Sequence, residues 1–217
     1  MTILAVEFSS DQRSVAIAHG GAVLARAEET GGRTAHAFAL IERVLTEAKL
    51  EREAIECLVV GLGPGSYAGI RAGIALAQGW QLATGVQLLG ISTVEAMAAQ
   101  AASRGESGRI SIAIDAQRNE FYLATYELSP GCCELITPLH IASLDELTKT
   151  TARSRLLVWP ELHARLPDAQ VQSPDAAVLC QLAVDRRNFI AGAELAPIYL
   201  REVNFIKAPP ARVIPSL

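Results

Sequence analysis

The sequence predicts an α/β protein made of two similar lobes, and three observations carry that prediction. Short apolar strand signals are followed by amphipathic helices, and the same succession recurs in the second half of the chain. A small, polar, glycine-containing stretch at 100–109 (QAASRGESGR) separates the two runs, placing the lobes at 1–103 and 104–217, with the last segment free to pack back on the first. The 217 residues are 50% hydrophobic and 19% charged, enough apolar material for a sizeable core; at 5% aromatic, that core is built from Ala, Leu, Val and Ile.

In the first half, residues 2–8 read as a strand, followed by the polar turn Ser9-Ser10-Asp11-Gln12. A second strand runs from Ser14 to His19, Gly20-Gly21 turns the chain, and Ala22 to Glu28 forms a third, so the three pair as an antiparallel meander. Thr34 is placed to cap a helix running to about Leu50. In that helix Phe38, Ile41, Leu45 and Ala48 recur at helical spacing, and Leu40 and Val44 broaden the apolar face. Cys57 to Gly61 is a wholly apolar run, as in a strand buried on both faces. A glycine-rich turn leads from it into a helix from Ile70 to Ala83, whose only charge is Arg71, so burial almost all round, in a core or an interface, is expected. Thr84-Gly85 stops it, Val86 to Leu89 is a strand, and Ser92-Thr93-Val94-Glu95 reads as a capping box opening a third helix.

In the second half, strands are expected at 110–114, 120–127 and 134–141, with turns at Gln117-Arg118-Asn119 and Ser129-Pro130-Gly131. Ser143-Leu144-Asp145-Glu146 is a further capping box, Arg155 to Trp159 a strand, and Ser173-Pro174-Asp175 opens a helix through about Arg186 with cap, first-turn proline and first-turn acid. The tail after Tyr199 is punctuated by proline and reads as irregular.

Composition also excludes function classes. A net charge of −4 argues against a protein that grips nucleic acid unaided, because phosphate binding needs clustered positive charge. The apolar start carries Glu7 and lacks a preceding basic region, so no secretory signal is expected. Residues 72–94 carry no formal charge, yet Gln78, Gln81, Thr84, Gly85 and Gln87 break the run, which reads as a buried helix and strand and not as a membrane span. Cys57, Cys132, Cys133 and Cys180 form no C-x-x-C pair; neither a disulfide framework nor a zinc site is expected, and a reducing cytoplasm is the expected compartment.

The segment 61–69 (GLGPGSYAG) is the most informative for chemistry. Its glycines let backbone N–H groups converge at the positive end of a helix, a fitting place for an anion. No Gly-Lys-Ser/Thr closes it as a Walker A loop, and Ser66 stands where a dinucleotide fingerprint wants Gly or Ala. Spacing alone leaves a tight strand-to-helix turn and a phosphate cradle both open.

Taken whole, GPGSYAGIRAG (63–73) resembles the GPGSFTGLR-type signature of the TsaB (YeaZ) family, glycoprotease-like relatives of the threonylcarbamoyl-transferase TsaD. Other pieces follow in order: an opening ILAVEFSS similar to ILAIDTS, a helix beginning with His36, GISTVEAMA after the second helix, DAQRNEFY at 115–122 similar to DARRGEVY, and PIYLR at 197–201. The resemblance implies an ASKHA fold, that of actin and the sugar kinases, with two related α/β lobes. It also implies a non-catalytic accessory subunit for threonylcarbamoyladenosine modification of tRNA. TsaD would be its heterodimeric partner and perform the transfer, the ATPase TsaE would join the assembled pair, tRNA would be met only through the complex, and the isolated chain would pair with itself. No cofactor of its own is expected, although a nucleotide could bind at the partner interface, and no membrane is involved. The alternative is an ASKHA-type ATPase or phosphotransferase acting alone. A peptidase, an older label for the superfamily, is a further rival.

The residues test these expectations. Glu7 stands where the family usually has the Asp that organises a metal-bound phosphate; its extra methylene moves the charge, and Ser9-Ser10-Asp11 lacks the glycine that admits a phosphate, so a structural strand-end carboxylate is expected. With Glu7, the residues of a residual nucleotide site would be Gly63, Gly65, Ser66 and Asp115. Asp115 either faces a cleft or simply opens the hairpin at Arg118-Asn119. Resemblance to TsaD would ask for two histidines four apart on a helix, but Leu40 stands four after His36, while His19, His140 and His163 lie in other elements, so no metal site is expected. Ser66 lacks G-x-S-x-G spacing. The expected working surface is therefore helical. Gly69, Ala72, Gly73 and Ala77 form a small-residue face that another helix can approach, and Phe38, Ile41, Leu45, Arg71 and Ile74 are the expected partner contacts.

Overall fold

In the first sheet, alternate residues of every central strand are apolar, and both faces find a helical cover. The structure, a computed structural model, describes residues 1–31, 37–130 and 132–201; the expected cap Thr34 and helix start His36 fall outside these. Strands β1 (Thr2–Glu7), β2 (Gln12–His19) and β3 (Ala22–Thr30) form the expected antiparallel meander, and β4 (Cys57–Gly61) and β5 (Gln87–Ile91) add in parallel on the other side of β1. The order is β3-β2-β1-β4-β5. Helices α1 (Ala37–Ala48) and α2 (Tyr67–Thr84) cover one face, meeting Leu4, Val6, Val15, Ile17, Leu58 and Val60. The intervening residues Ile3, Ala5, Ala16, Cys57 and Val59 point to the opposite face, as the two-residue period of a strand requires.

The second sheet repeats this plan. Strands β6 (Gly108–Asp115), β7 (Glu120–Ser129) and β8 (Cys132–Ser143) form a meander, and β9 (Arg155–Val158) and β10 (Gln170–Val171) continue in parallel from β6. Read from β8, the order β8-β7-β6-β9-β10 is the order of the first sheet. This twofold use of one topology is the ASKHA arrangement. Helix α3 (Thr93–Ser103) lies between the sheets: Val94, Met97, Ala98 and Ala101 pack on Ile110, Ile112 and Ala124, and Ala96 joins the core on the far side of the first sheet. Helices α4 (Leu144–Thr151) and α5 (Pro160–His163) cover the outer face of the second sheet through Leu147 and Leu162.

Helix α6 (Ala176–Ala183) comes from the second half of the chain but covers the first sheet, with Leu179, Cys180 and Ala183 among β1, β2 and β4. The chain therefore crosses back, and residues 188–198 follow it along the first lobe. Burial and apolar neighbours push the thiols of Cys57 and Cys180 up to about 12, so both behave as small apolar side chains. Among the described residues no helix is long and apolar enough to cross a membrane; the uncharged stretch 72–94 divides between α2, β5 and the start of α3, and Gly85 ends α2 in the left-handed conformation.

Several local expectations shift. Helix α2 begins at Tyr67, three residues early, because the Ser66 hydroxyl accepts from the Gly69 N–H and caps it. Ser143 caps α4 as expected, accepting from Glu146 N. Ser92 does not cap α3: its hydroxyl donates to the Gly63 carbonyl instead. The cap of α6 is Asp175 and not Ser173, since its carboxylate accepts from Ala177 N at 2.9 Å. Short elements went unforeseen where the local pattern is weak, namely α5 and the two-residue β10.

Candidate functional site

Glu7 ends β1 wholly buried. Its Oε1 accepts from Ser9 N at 2.8 Å and its Oε2 from the Thr93 hydroxyl at 3.2 Å, while Ser9 Oγ lies 3.1 Å from Thr93 Oγ1. Burial raises its pKa above the ordinary value; the hydrogen bonds from Ser9 and Thr93 oppose that rise by favouring the ionised form. Gly61 makes room, because a Cβ there would run into the Glu7 carboxylate. The carboxylate thus ties the start of α3 to the end of β1 and is sealed from the cleft.

The glycine turn is closed against the first hairpin. Ser66 N donates to Ser9 O at 2.6 Å, Thr93 N donates to Gly63 O at 2.8 Å, and a Cβ at Gly65 would meet Ser9 O and the Trp159 ring. A cleft of about 410 Å³ lies between the lobes in front of this turn. It brings together Gly65, Ser66 and Asp115; Glu7 and Gly63 do not line it. The charged residues on its walls, Asp11, Asp115 and Glu161, are all carboxylates, which disfavours a phosphate there. Asp115 does both things the sequence left open: it lines the cleft, and its Oδ1 accepts from Gln117 N at 2.8 Å to start the turn through Arg118 and Asn119. Arg165 stands 3.7 Å from its other oxygen. Among the described residues no three His, Cys, Asp or Glu side chains cluster as metal ligands.

The expected partner contacts divide. Phe38 is 72% exposed and Arg71 is exposed, but Ile41 is 1% exposed, and Leu45 and Ile74 are buried in the first core. These three are corrected to core residues: they lie on the faces of α1 and α2 that meet the chain's own sheet. The small-residue face is likewise reassigned in part. A Cβ at Gly69 would run into Phe8 O, Gly73 faces Val60 and Val6, and Ala77 is fully buried, so these residues let α2 approach its own strands.

Helix α2 carries a second stripe of small residues, closed by Leu82, that faces outward. Ala68, Ala72, Ala75, Gly79 and Leu82 recur with helical period, all are exposed, and Leu82 is 89% exposed. The expected all-round burial is therefore not met within the isolated chain, and Arg71 is the only charge on that face. Between α1 and α2 lies a groove of about 400 Å³ lined by Phe38, Leu76, Gly79 and Trp80, with Glu42 and Arg52 paired at its edge.

A family model described as TsaD, tRNA N6-adenosine threonylcarbamoyltransferase, matches residues 18–156, well over half of the chain. Proteins named tRNA threonylcarbamoyladenosine biosynthesis protein TsaB from Escherichia coli K12 and Haemophilus influenzae are 29% and 27% identical, over 93% and 96% of this chain and 95% and 98% of theirs. The chain belongs to this family, in its TsaB (YeaZ) group. The structure described as YeaZ from Pseudomonas aeruginosa superposes with a TM-score of 0.78 at 22% identity, covering 92% of this chain and 99% of that one. A second structure from that organism, described as similar to the peptidase YeaZ, gives 0.79 at 23%. The TsaB fold thus extends over nearly the whole chain.

Within this TsaB-family chain, sequence reasoning missed the exposed residues Tyr67, Ala68, Ala75, Gly79 and Leu82. A signal existed in their helical period and freedom from charge, but a similar small-residue period runs along the opposite, buried side of α2. It also missed Tyr199, within the PIYLR motif, which packs on Tyr67 with ring centroids 5.8 Å apart.

Proposed function

We propose that this chain is a non-catalytic accessory subunit for threonylcarbamoyladenosine modification of tRNA, binding and activating a TsaD transferase through the outward faces of α1 and α2. The observation that carries the reading is the outward face of α2 from Ala68 to Leu82, with Arg71 its one charge, left open beside Phe38, where the small side chains of Ala68, Ala72, Ala75 and Gly79 admit another helix to close packing distance. The names of the E. coli and H. influenzae relatives support the pathway. The sealed Glu7 and the acidic cleft support the absence of turnover in the isolated chain. In this reading TsaE joins the assembled pair, tRNA is met through the complex, and the same stripe pairs with a second copy when TsaD is absent.

The test is co-purification with the cognate TsaD. The wild-type chain retains TsaD; Ala75→Glu or Leu82→Glu, which bury an unpaired carboxylate in the contact but touch no core, weaken it by roughly tenfold or more. Normal retention by both variants would move the interface elsewhere, and no retention by wild type would overturn the function. A second reading, an ATPase or phosphotransferase acting alone, draws on Gly65, Ser66 and Asp115 sharing one cleft. ATP hydrolysis by the pure chain that is lost in Asp115→Ala would favour it.

A further inference from the structure

The segment after α6 returns along the first lobe and then leaves it. Ile190 N donates to Leu88 O at 3.0 Å on the edge strand β5, Gly192 is held between Gln78 and Gln81 of α2, and Leu195 is buried in the first core. Ile198 N donates to Leu62 O at 2.9 Å. Three residues later the chain is anchored on the other lobe: Arg201 Nη2 donates to Glu120 Oε2 at 2.6 Å and to Ala116 O at 2.9 Å, at the turn between β6 and β7. Between these anchors Tyr199 rests on Tyr67. Tyr67 and Ala116 both line the interlobe cleft, so the segment spans the cleft rim from one wall to the other.

Tyr67 also belongs to the outward face of α2. The Arg71 guanidinium lies 5.1 Å from its ring centroid, and Arg71 Nη1 donates to the Tyr67 hydroxyl at 2.5 Å. We infer that residues 198–201 are a tie bar that holds the interlobe cleft closed, and that Tyr199, Tyr67 and Arg71 couple its closure to the docking face of α2. The coupling, though not the tie bar, rests on the function proposed above. A partner helix seated over Arg71 presses Tyr67 against Tyr199 and favours the closed cleft; by linkage, opening the cleft lowers partner affinity by the same factor.

Trp159 reports the opening. It is buried on the second lobe with its ring against Gly65 of the first, and its indole N–H donates to Met97 Sδ. The chain has two tryptophans, so in a Trp80→Phe background acrylamide quenching reads Trp159 alone. Arg201→Ala breaks a half-exposed ion pair and a carbonyl contact, and the open population should rise roughly three- to fivefold, with quenching rising alongside. Tyr199→Ala should act in the same direction, and the exchanged pair Arg201→Glu with Glu120→Arg should return quenching towards wild type. Unchanged quenching in Arg201→Ala and Tyr199→Ala overturns the tie bar; so does a rise that the exchanged pair fails to reverse even in part, the Ala116 carbonyl contact being the share it does not restore. A second arm measures TsaD binding by Arg201→Ala. Affinity scales with the closed fraction, so a loss equal to the fall in that fraction supports the coupling. If the closed fraction falls measurably while affinity stays constant, the tie bar stands and the coupling falls. If wild type binds no TsaD at all, the proposed function fails and the quenching result is untouched.

Discussion

Phe38 and Ile41 sit three residues apart on α1, and opposite substitution effects are expected from them. Ile41 is 1% exposed and belongs to the same buried core as Val15, Ile17 and Val44. Truncation to Ala removes three buried carbons and leaves a space that the surrounding sheet and α2 cannot fully close, a cost of about 2–4 kcal/mol. For a chain of this length that corresponds to a fall in melting temperature of roughly 5–15 °C. Phe38 is 72% exposed, and Phe38→Ala should stay within about 0.5 kcal/mol of wild type on the isolated chain. In the TsaD binding proposed above the ranking should reverse: Phe38→Ala, which removes an exposed aromatic from the proposed contact, should weaken association by roughly tenfold or more. Urea unfolding followed by tryptophan emission gives the first comparison, and titration with purified TsaD the second. Equal stability losses for the two variants would refute the division of α1 into a core face and an exposed face open to the proposed docking.

Two further outcomes follow from the same geometry. Burial raises the Glu7 pKa in the folded state, so the folded chain holds that proton more tightly than the unfolded chain; this stabilisation is complete below the ordinary value of 4.5 and is lost as pH rises through the raised value. Glu7→Gln removes the titration, so its stability relative to wild type should grow with pH across that window, and a pH-independent difference between the two urea midpoints would contradict the assignment. Asp175 caps α6 and also accepts from Arg26 Nε at 2.9 Å, which helps hold the Arg26 pKa above its ordinary value. Asp175→Ala should cost about 1–2 kcal/mol, whereas Ser173→Ala, at the cap position the sequence favours, should cost little. Equal losses in thermal melts would restore Ser173 as the cap.

Much of the architecture was legible in the chain. The meanders, the helix stop at Gly85 and the cap at Ser143 follow from alternation, turn residues and capping chemistry, all of which act between near neighbours. The motif 63–73 and the stretch 115–122 carried the family resemblance, and two of the motif's glycines, Gly69 and Gly73, have a visible structural task in bringing α2 against its own strands. The candidate site was less legible. Ala and Gly carry almost no preference for inside or outside, so the two small-residue stripes of α2 look alike in sequence although one is sealed and the other open. Ile41, Leu45 and Ile74 were assigned outward because a broad apolar face can serve a core or a partner equally well.

What the sequence settled alone was local: where strands and helices lie, how they turn, and the repeated succession that makes two lobes. Tertiary structure decided which side of α2 meets solvent, that Glu7 is enclosed by Ser9 and Thr93, and that Arg201 reaches across to Glu120, 81 positions away in the chain. The physical reason is common to all three. Each depends on which surfaces remain uncovered after distant segments have packed, and no nearest-neighbour pattern records that.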